Sequence, residues 1–211
     1  LSLLTKNHVY SEEMEHDACG VGVIASTEGK KSRAIVEYGI EALKAVWHRG
    51  AVDADGKTGD GAGIHVEIPK DFFIEKIEVT GHDYDNSEIC VGMIFLPKND
   101  YTSQESCKTI VESELTKNNF SIYGWRQVPV NPKVLGEKAL QTMPEIIQVL
   151  FKSNDANLLD KNLERKIYET RKKIEKKAFE LSLNNFYICS ISSKSIIYKG
   201  LYLAEAISDF Y

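Results

Sequence analysis

The chain is short of cysteine and proline and has no long apolar run, and each shortage removes a class of protein. Its four cysteines, Cys19, Cys90, Cys107 and Cys189, are scattered through 211 residues. They form no C-x-x-C pair, and no histidines cluster at ligand spacing, so neither a disulfide scaffold nor a metal site is read from the pattern. Free thiols in a reducing compartment are the simplest account. No apolar stretch approaches the roughly 20 residues of a membrane span. Residues 1–18 also lack the basic-then-apolar order of a secretory signal. These absences point to a cytoplasmic protein with no membrane partner. A net charge of −5 gives no electrostatic reason to expect nucleic acid. With 43% hydrophobic residues, the chain can bury a real core.

The most informative stretch is Glu15-His16-Asp17-Ala18-Cys19-Gly20-Val21-Gly22-Val23-Ile24-Ala25. It passes from a polar lead into a Gly-spaced apolar run, which predicts a buried strand over Gly20 to Ala25. Cys19 stands at the mouth of that strand. A thiolate nucleophile there needs a nearby base, and the glycines beside it admit a substrate close to the backbone. A small apolar residue packed at a strand start fits the same pattern. The chain opens on Leu1 and closes on Asp209-Phe210-Tyr211, which suggests two ends cut from something longer.

Ser32 is placed to cap a helix in which Ile35, Val36, Gly39, Ile40, Leu43, Val46 and Trp47 recur at helical steps. Its end delivers His48-Arg49-Gly50. Ile64 to Ile68 alternates and stops at Pro69, a strand with one covered face. Ile89 to Leu96 reads as a buried strand, and Ser103 as the cap of a helix through Leu115. Phe120 to Val130 and Glu145 to Lys152 read as extended, and Leu163 to Leu181 as a long helix with a solvated basic face. Phe186 to Ile191 and Ser195 to Lys199 have hairpin-like spacing. Strands outnumber helices in this reading, which favours an α+β layered domain.

Residues 51–63 hold four glycines and three aspartates. A calcium loop is excluded because Thr58 stands where glycine is required and Ile64 where glutamate is required. A phosphate loop is excluded because no Gly-Lys-Ser/Thr closes it, and a dinucleotide fingerprint because a strand follows it in place of a helix. A tight turn with unusual backbone angles remains, either purely structural or beside a small polar ligand. Arg49 either favours the end of its helix or offers a planar fork to a carboxylate. Cys90, Cys107 and Cys189 fall in apolar patterns and read as core.

Taken together, these residues resemble the class II glutamine amidotransferase domain that opens the large subunit of the glutamate synthase family. The likeness runs through Asp17-Ala18-Cys19-Gly20-Val21-Gly22, His48-Arg49-Gly50-Ala51, Ala54 to Ile64, Pro69, Asp71-Phe72-Phe73, Phe186 to Ser190, Tyr198-Lys199-Gly200 and Asp209-Phe210-Tyr211. The resemblance implies a four-layer αββα N-terminal-nucleophile hydrolase fold, incomplete at the C-terminal side. It implies a propeptide-like leader over 1–18, cut between Ala18 and Cys19, and an amidotransferase segment over 19–211.

In such enzymes the freed α-amino group, with a pKa of about 7.7–8.0, serves as the base for the Cys19 thiol. Glutamine is the implied substrate, and the released ammonia is used to make glutamate from 2-oxoglutarate. Arg49, Gly50 and Asp60 are expected to support the substrate site. No cofactor is expected within these residues; FMN, an iron–sulfur cluster and a small electron-transfer subunit or ferredoxin belong to the remaining domains and partners of the full-length enzyme. The family places its oxyanion donors in a His-Asn-Gly-Glu type segment, and this sequence contains no Asn-Gly. The 211 residues alone are therefore expected to be close to inactive. Another class II amidotransferase and a non-catalytic assembly module are the alternatives.

Overall fold

The computed structural model describes residues 20–46 and 50–211. Its larger sheet has four antiparallel strands in the order β3 (Phe120–Gln127), β4 (Glu145–Ser153), β2 (Cys90–Leu96), β5 (Tyr187–Ser192). A second sheet pairs β1 (Ala62–Glu67) antiparallel with β6 (Ser195–Gly200). The α-helices among the described residues are α1 (Arg33–Ala45), α2 (Lys70–Val79), α3 (Tyr101–Lys117), α4 (Glu137–Thr142), α5 (Asp160–Glu180) and α6 (Ile207–Phe210), with 3-10 turns at Pro132–Val134 and Ala204–Ala206. Helices and antiparallel sheets thus share the chain, as the α+β reading expects. None of the described helices is long and apolar enough to cross a membrane.

Side-chain alternation along the central strands divides the core in two. Cys90, Ile94 and Leu96 of β2, with Ile147, Val149 and Phe151 of β4, pack against Cys107, Val111 and Leu115 of α3 and Leu163, Ile167 and Ile174 of α5. The other face carries Val91, Met93, Ile146 and Leu150, which cluster with Phe73 and Ile77 of α2 and Ile196 of β6. Gln148 lies on that second face, fully buried, where its amide oxygen accepts from the Arg126 guanidinium at 2.8 Å. The strand β1 shows the one-sided burial its alternation predicts, with every second residue half-buried.

Four expectations need correction. Gly20 to Ala25 forms no strand: Val21 and Val23 are 91% and 86% exposed. An apolar run becomes a strand only where a neighbour takes its backbone groups, and among the described residues no strand pairs with it. Ser103 does not cap α3. Asp100 does, its carboxylate accepting from the Ser103 N–H at 3.0 Å and the Ser103 hydroxyl at 2.6 Å.

The strands β5 and β6 do not form a hairpin either. β5 pairs with β2 and β6 with β1, so the short turn between them carries the chain from one sheet to the other. Strands do not outnumber helices among the described residues, because α2, α4 and α6 add to the helices and Gly20 to Ala25 is not a strand. Each of these helices is short, and α2 buries only Phe73 and Ile77, one turn apart, too little repetition to stand out.

Candidate active site

The glycine- and aspartate-rich loop closes on itself before it meets the rest of the molecule. The Asp53 N–H donates to the Thr58 carbonyl at 2.8 Å and the Gly56 N–H to the Asp53 carbonyl at 2.9 Å. Val52 and Gly59 form an isolated antiparallel bridge. Gly56 stands at φ 70°, the left-handed region that this turn requires and that glycine enters without strain.

Asp55 organises the loop from within. Its Oδ1 accepts from the N–H groups of Lys57 and Thr58 at 2.9 and 2.7 Å, and its Oδ2 from the Thr58 hydroxyl at 2.5 Å. The Thr58 hydroxyl, reinforced by these two N–H groups, holds the Asp55 carboxyl well below the usual carboxylate range. Across the seam to α4, the Thr58 oxygen accepts from the Ala139 N–H at 3.3 Å. The Lys138 ammonium meets the Asp53 carboxylate at 2.7 Å. That hydrogen bond lowers the Asp53 carboxyl and raises the Lys138 amine, although so exposed a pair adds little stability.

The same loop helps line a groove of ≈ 1130 Å³ through Asp60 and Gly61, together with Gly63 of β1, Ala139 and Thr142 of α4, and Tyr202. Glycine is needed at 63 for close approach: a Cβ there would lie 2.8 Å from the Lys199 Cβ on the paired strand. The Tyr202 hydroxyl is buried and has no hydrogen-bond partner among the described residues.

Of the residues expected to carry chemistry, Ala18, Cys19 and Arg49 lie outside the described residues. Gly50 is exposed, at a bend. Asp60 is exposed on the groove wall, its N–H donating to the Ala51 carbonyl at 3.3 Å. Cys90, Cys107 and Cys189 are buried free thiols. Asp55, Thr58 and Gly136 had not been singled out. The Asp55-to-Thr58 spacing of an Asx turn was legible, whereas nothing local ties that turn to a helix some eighty residues away.

Residues 19–211 match the family described as class II glutamine amidotransferases. The chain belongs to this family. The chain is also 52% identical over 208 residues to the glutamate synthase [NADPH] large chain of Azospirillum brasilense, a match covering 99% of this chain and 14% of that protein. It is 40% identical over 199 residues to ferredoxin-dependent glutamate synthase 1 of Arabidopsis thaliana, covering 93% of this chain and 12% of that protein. Ferredoxin-dependent glutamate synthase 2 of Synechocystis is 36% identical over 198 residues, with the same 93% and 12% coverage. The chain thus spans a small part of the length of these relatives.

Proposed function

We propose that this amidotransferase segment supplies ammonia within a glutamate synthase of the cytoplasm. Cys19 is the nucleophile, and cleavage between Ala18 and Cys19 frees the amine that acts as its base. The thiolate attacks the side-chain amide carbon of glutamine, the C–N bond breaks, and ammonia leaves carrying the proton returned by the amine. Water then hydrolyses the γ-glutamyl thioester to glutamate. Arg49, Gly50 and Asp60 support the glutamine site, and the ammonia aminates 2-oxoglutarate elsewhere in the larger enzyme.

The observation that carries this reading is a family match that begins on Cys19 itself. The four-layer αββα arrangement, with residues 1–18 as leader, belongs to the same proposal. Two clusters of core on opposite faces of the four-stranded sheet support it. No three His, Cys, Asp or Glu side chains among the described residues are grouped to hold a metal, so an iron–sulfur cluster does not fit them. That cluster, FMN and an electron-donating subunit or ferredoxin are assigned to other parts of the enzyme and its partners.

A glutamine-analogue electrophile tests the reading in the full-length protein. The expected adduct is on Cys19, at a mature N-terminus that begins with that residue. Burial pushes the Cys107 and Cys189 thiols up to about 11, so these two do not compete for the label. No adduct on Cys19, or active enzyme that retains Leu1, overturns the mechanism. Cys19-dependent glutamate release from residues 1–211 alone would overturn the expectation that they are close to inactive.

A further inference from the structure

We infer that Asp55 and Thr58 are positioning residues of the amidotransferase site, bolting the Gly59-Asp60-Gly61 loop to the first turn of α4 and thereby fixing the separation of two groove walls. The inference rests on the proposal that the groove belongs to a glutamine-hydrolysing site.

The bolt is a directed chain of hydrogen bonds. The Ala139 N–H donates to the Thr58 oxygen at 3.3 Å, and the Thr58 hydroxyl donates onward to Asp55 at 2.5 Å. The Lys138 N–H adds a long contact to the same Asp55 oxygen at 3.5 Å. Thr58 is 6% exposed, so water does not readily substitute for either partner.

Gly136 is an independent sign of the same junction. Its φ of −71° is open to any residue, so backbone conformation is not why glycine is there. A Cβ at this position would lie 2.5 Å from the Thr58 nitrogen and closer still to the Asp55 and Thr58 side-chain oxygens. The loop and the start of α4 approach each other as far as the absence of one side chain allows.

The loop also packs closely against the Tyr202 backbone. A Cβ on Gly59 would stand 2.7 Å from the Tyr202 carbonyl oxygen. The loop thus packs closely on the start of α4 at Gly136 and on the Tyr202 backbone at Gly59, and Asp60, Gly61 and Gly63 follow directly from it in the chain. These residues face the groove, as do Ala139 and Thr142 from α4. The reach of the Thr58 hydroxyl therefore sets how far apart the two walls stand.

The test uses the full-length enzyme and compares Thr58→Val, Thr58→Ser and Gly136→Ala, with wild type and Cys19→Ser as references. Glutamine hydrolysis is expected to lose about tenfold in kcat/KM in Thr58→Val, mostly through KM, the scale of one broken buried hydrogen bond. Thr58→Ser keeps the hydroxyl and is expected to recover most of the loss. Gly136→Ala is expected to reproduce the loss from the α4 side, and glutamate formation from added ammonium should be unchanged in all three.

A Thr58→Val protein with wild-type kcat and KM overturns the inference, as does a loss that Thr58→Ser shares in full. If Thr58→Val does not fold, Gly136→Ala decides in the same way, wild-type kcat and KM there counting against the bolt. Wild type without glutaminase activity, or Cys19→Ser that retains it, overturns the proposed function instead.

Discussion

Glu164 of α5 holds Ser193 at two points: one carboxylate oxygen accepts from the Ser193 N–H at 2.7 Å and from its hydroxyl at 2.8 Å. The other oxygen accepts from the Ser192 hydroxyl at 3.0 Å. This is the turn at which the chain leaves the four-stranded sheet and enters the β1–β6 pair. Glu164→Ala strands three donors and is expected to lower unfolding stability by roughly 1–3 kcal/mol. Ser193→Ala, which keeps the backbone contact, should cost less. Denaturant titration of both variants checks the order, and an unchanged midpoint in Glu164→Ala would show the contact to be idle.

Tyr202 offers the opposite case. Its hydroxyl is buried without a partner among the described residues, while its ring packs on Phe210 with centroids 5.3 Å apart. Removing an unsatisfied donor while keeping the ring should be neutral or stabilising by about 1 kcal/mol. Tyr202→Phe is therefore expected to melt no lower than wild type in calorimetry. A drop of several degrees would mean that the hydroxyl has a partner in the full-length protein.

At Gly92, in the middle of β2, a Cβ would come within 2.7 Å of the Val149 Cγ1 on the neighbouring strand. Gly92→Ala forces that packed pair apart and is expected to cost about 1–3 kcal/mol, the usual penalty of overfilling a core. Gly22 has nothing within 4 Å, so Gly22→Ala should leave stability unchanged. Equal unfolding midpoints for the two variants would contradict the packing of β2 on β4.

Asp85, like Asp55, should contribute to acid sensitivity. The Lys152 ammonium, with help from Ser87 and the Tyr123 hydroxyl, holds the Asp85 carboxyl far below its ordinary value of 3.8. A depressed folded pKa gives stability that is complete above the unfolded pKa and is lost as pH falls through the folded one. Wild type should therefore exceed Asp85→Asn by a constant margin at neutral pH, with the margin shrinking below pH 3.8. A margin that shrinks on going from pH 7 to 9 would refute the assignment. Solvent screening keeps it modest, since the Asp85 side chain is 46% exposed.

Periodicity exposed the long elements because their apolar faces repeat several times. In α5, Leu163, Ile167, Ile174 and Ala178 are all buried, and the alternating burial of β1 was readable residue by residue. Which strand pairs with which was not local information. The spacing of Phe186 to Lys199 suits a hairpin, yet β5 finds its ladder on β2 and β6 on β1, with the turn secured by Glu164. The loop over 51–63 was legible as a turn and as a candidate site wall, and three ion and nucleotide readings could be excluded from spacing alone. Its attachment to Gly136 and Ala139 was not, because a contact between distant segments leaves no period in either.

Among the described residues the β1–β6 pair is the smaller of the two sheets. A two-stranded ribbon is marginal in water by itself, and β6 leans on the larger sheet through Ile196, which packs with Val91 and Met93 of β2. Amide exchange should accordingly release Ala62–Glu67 at lower cost than Cys90–Leu96. The groove lined by Gly63 of β1 and Lys199 of β6 thus draws part of its lining from the pair expected to open first.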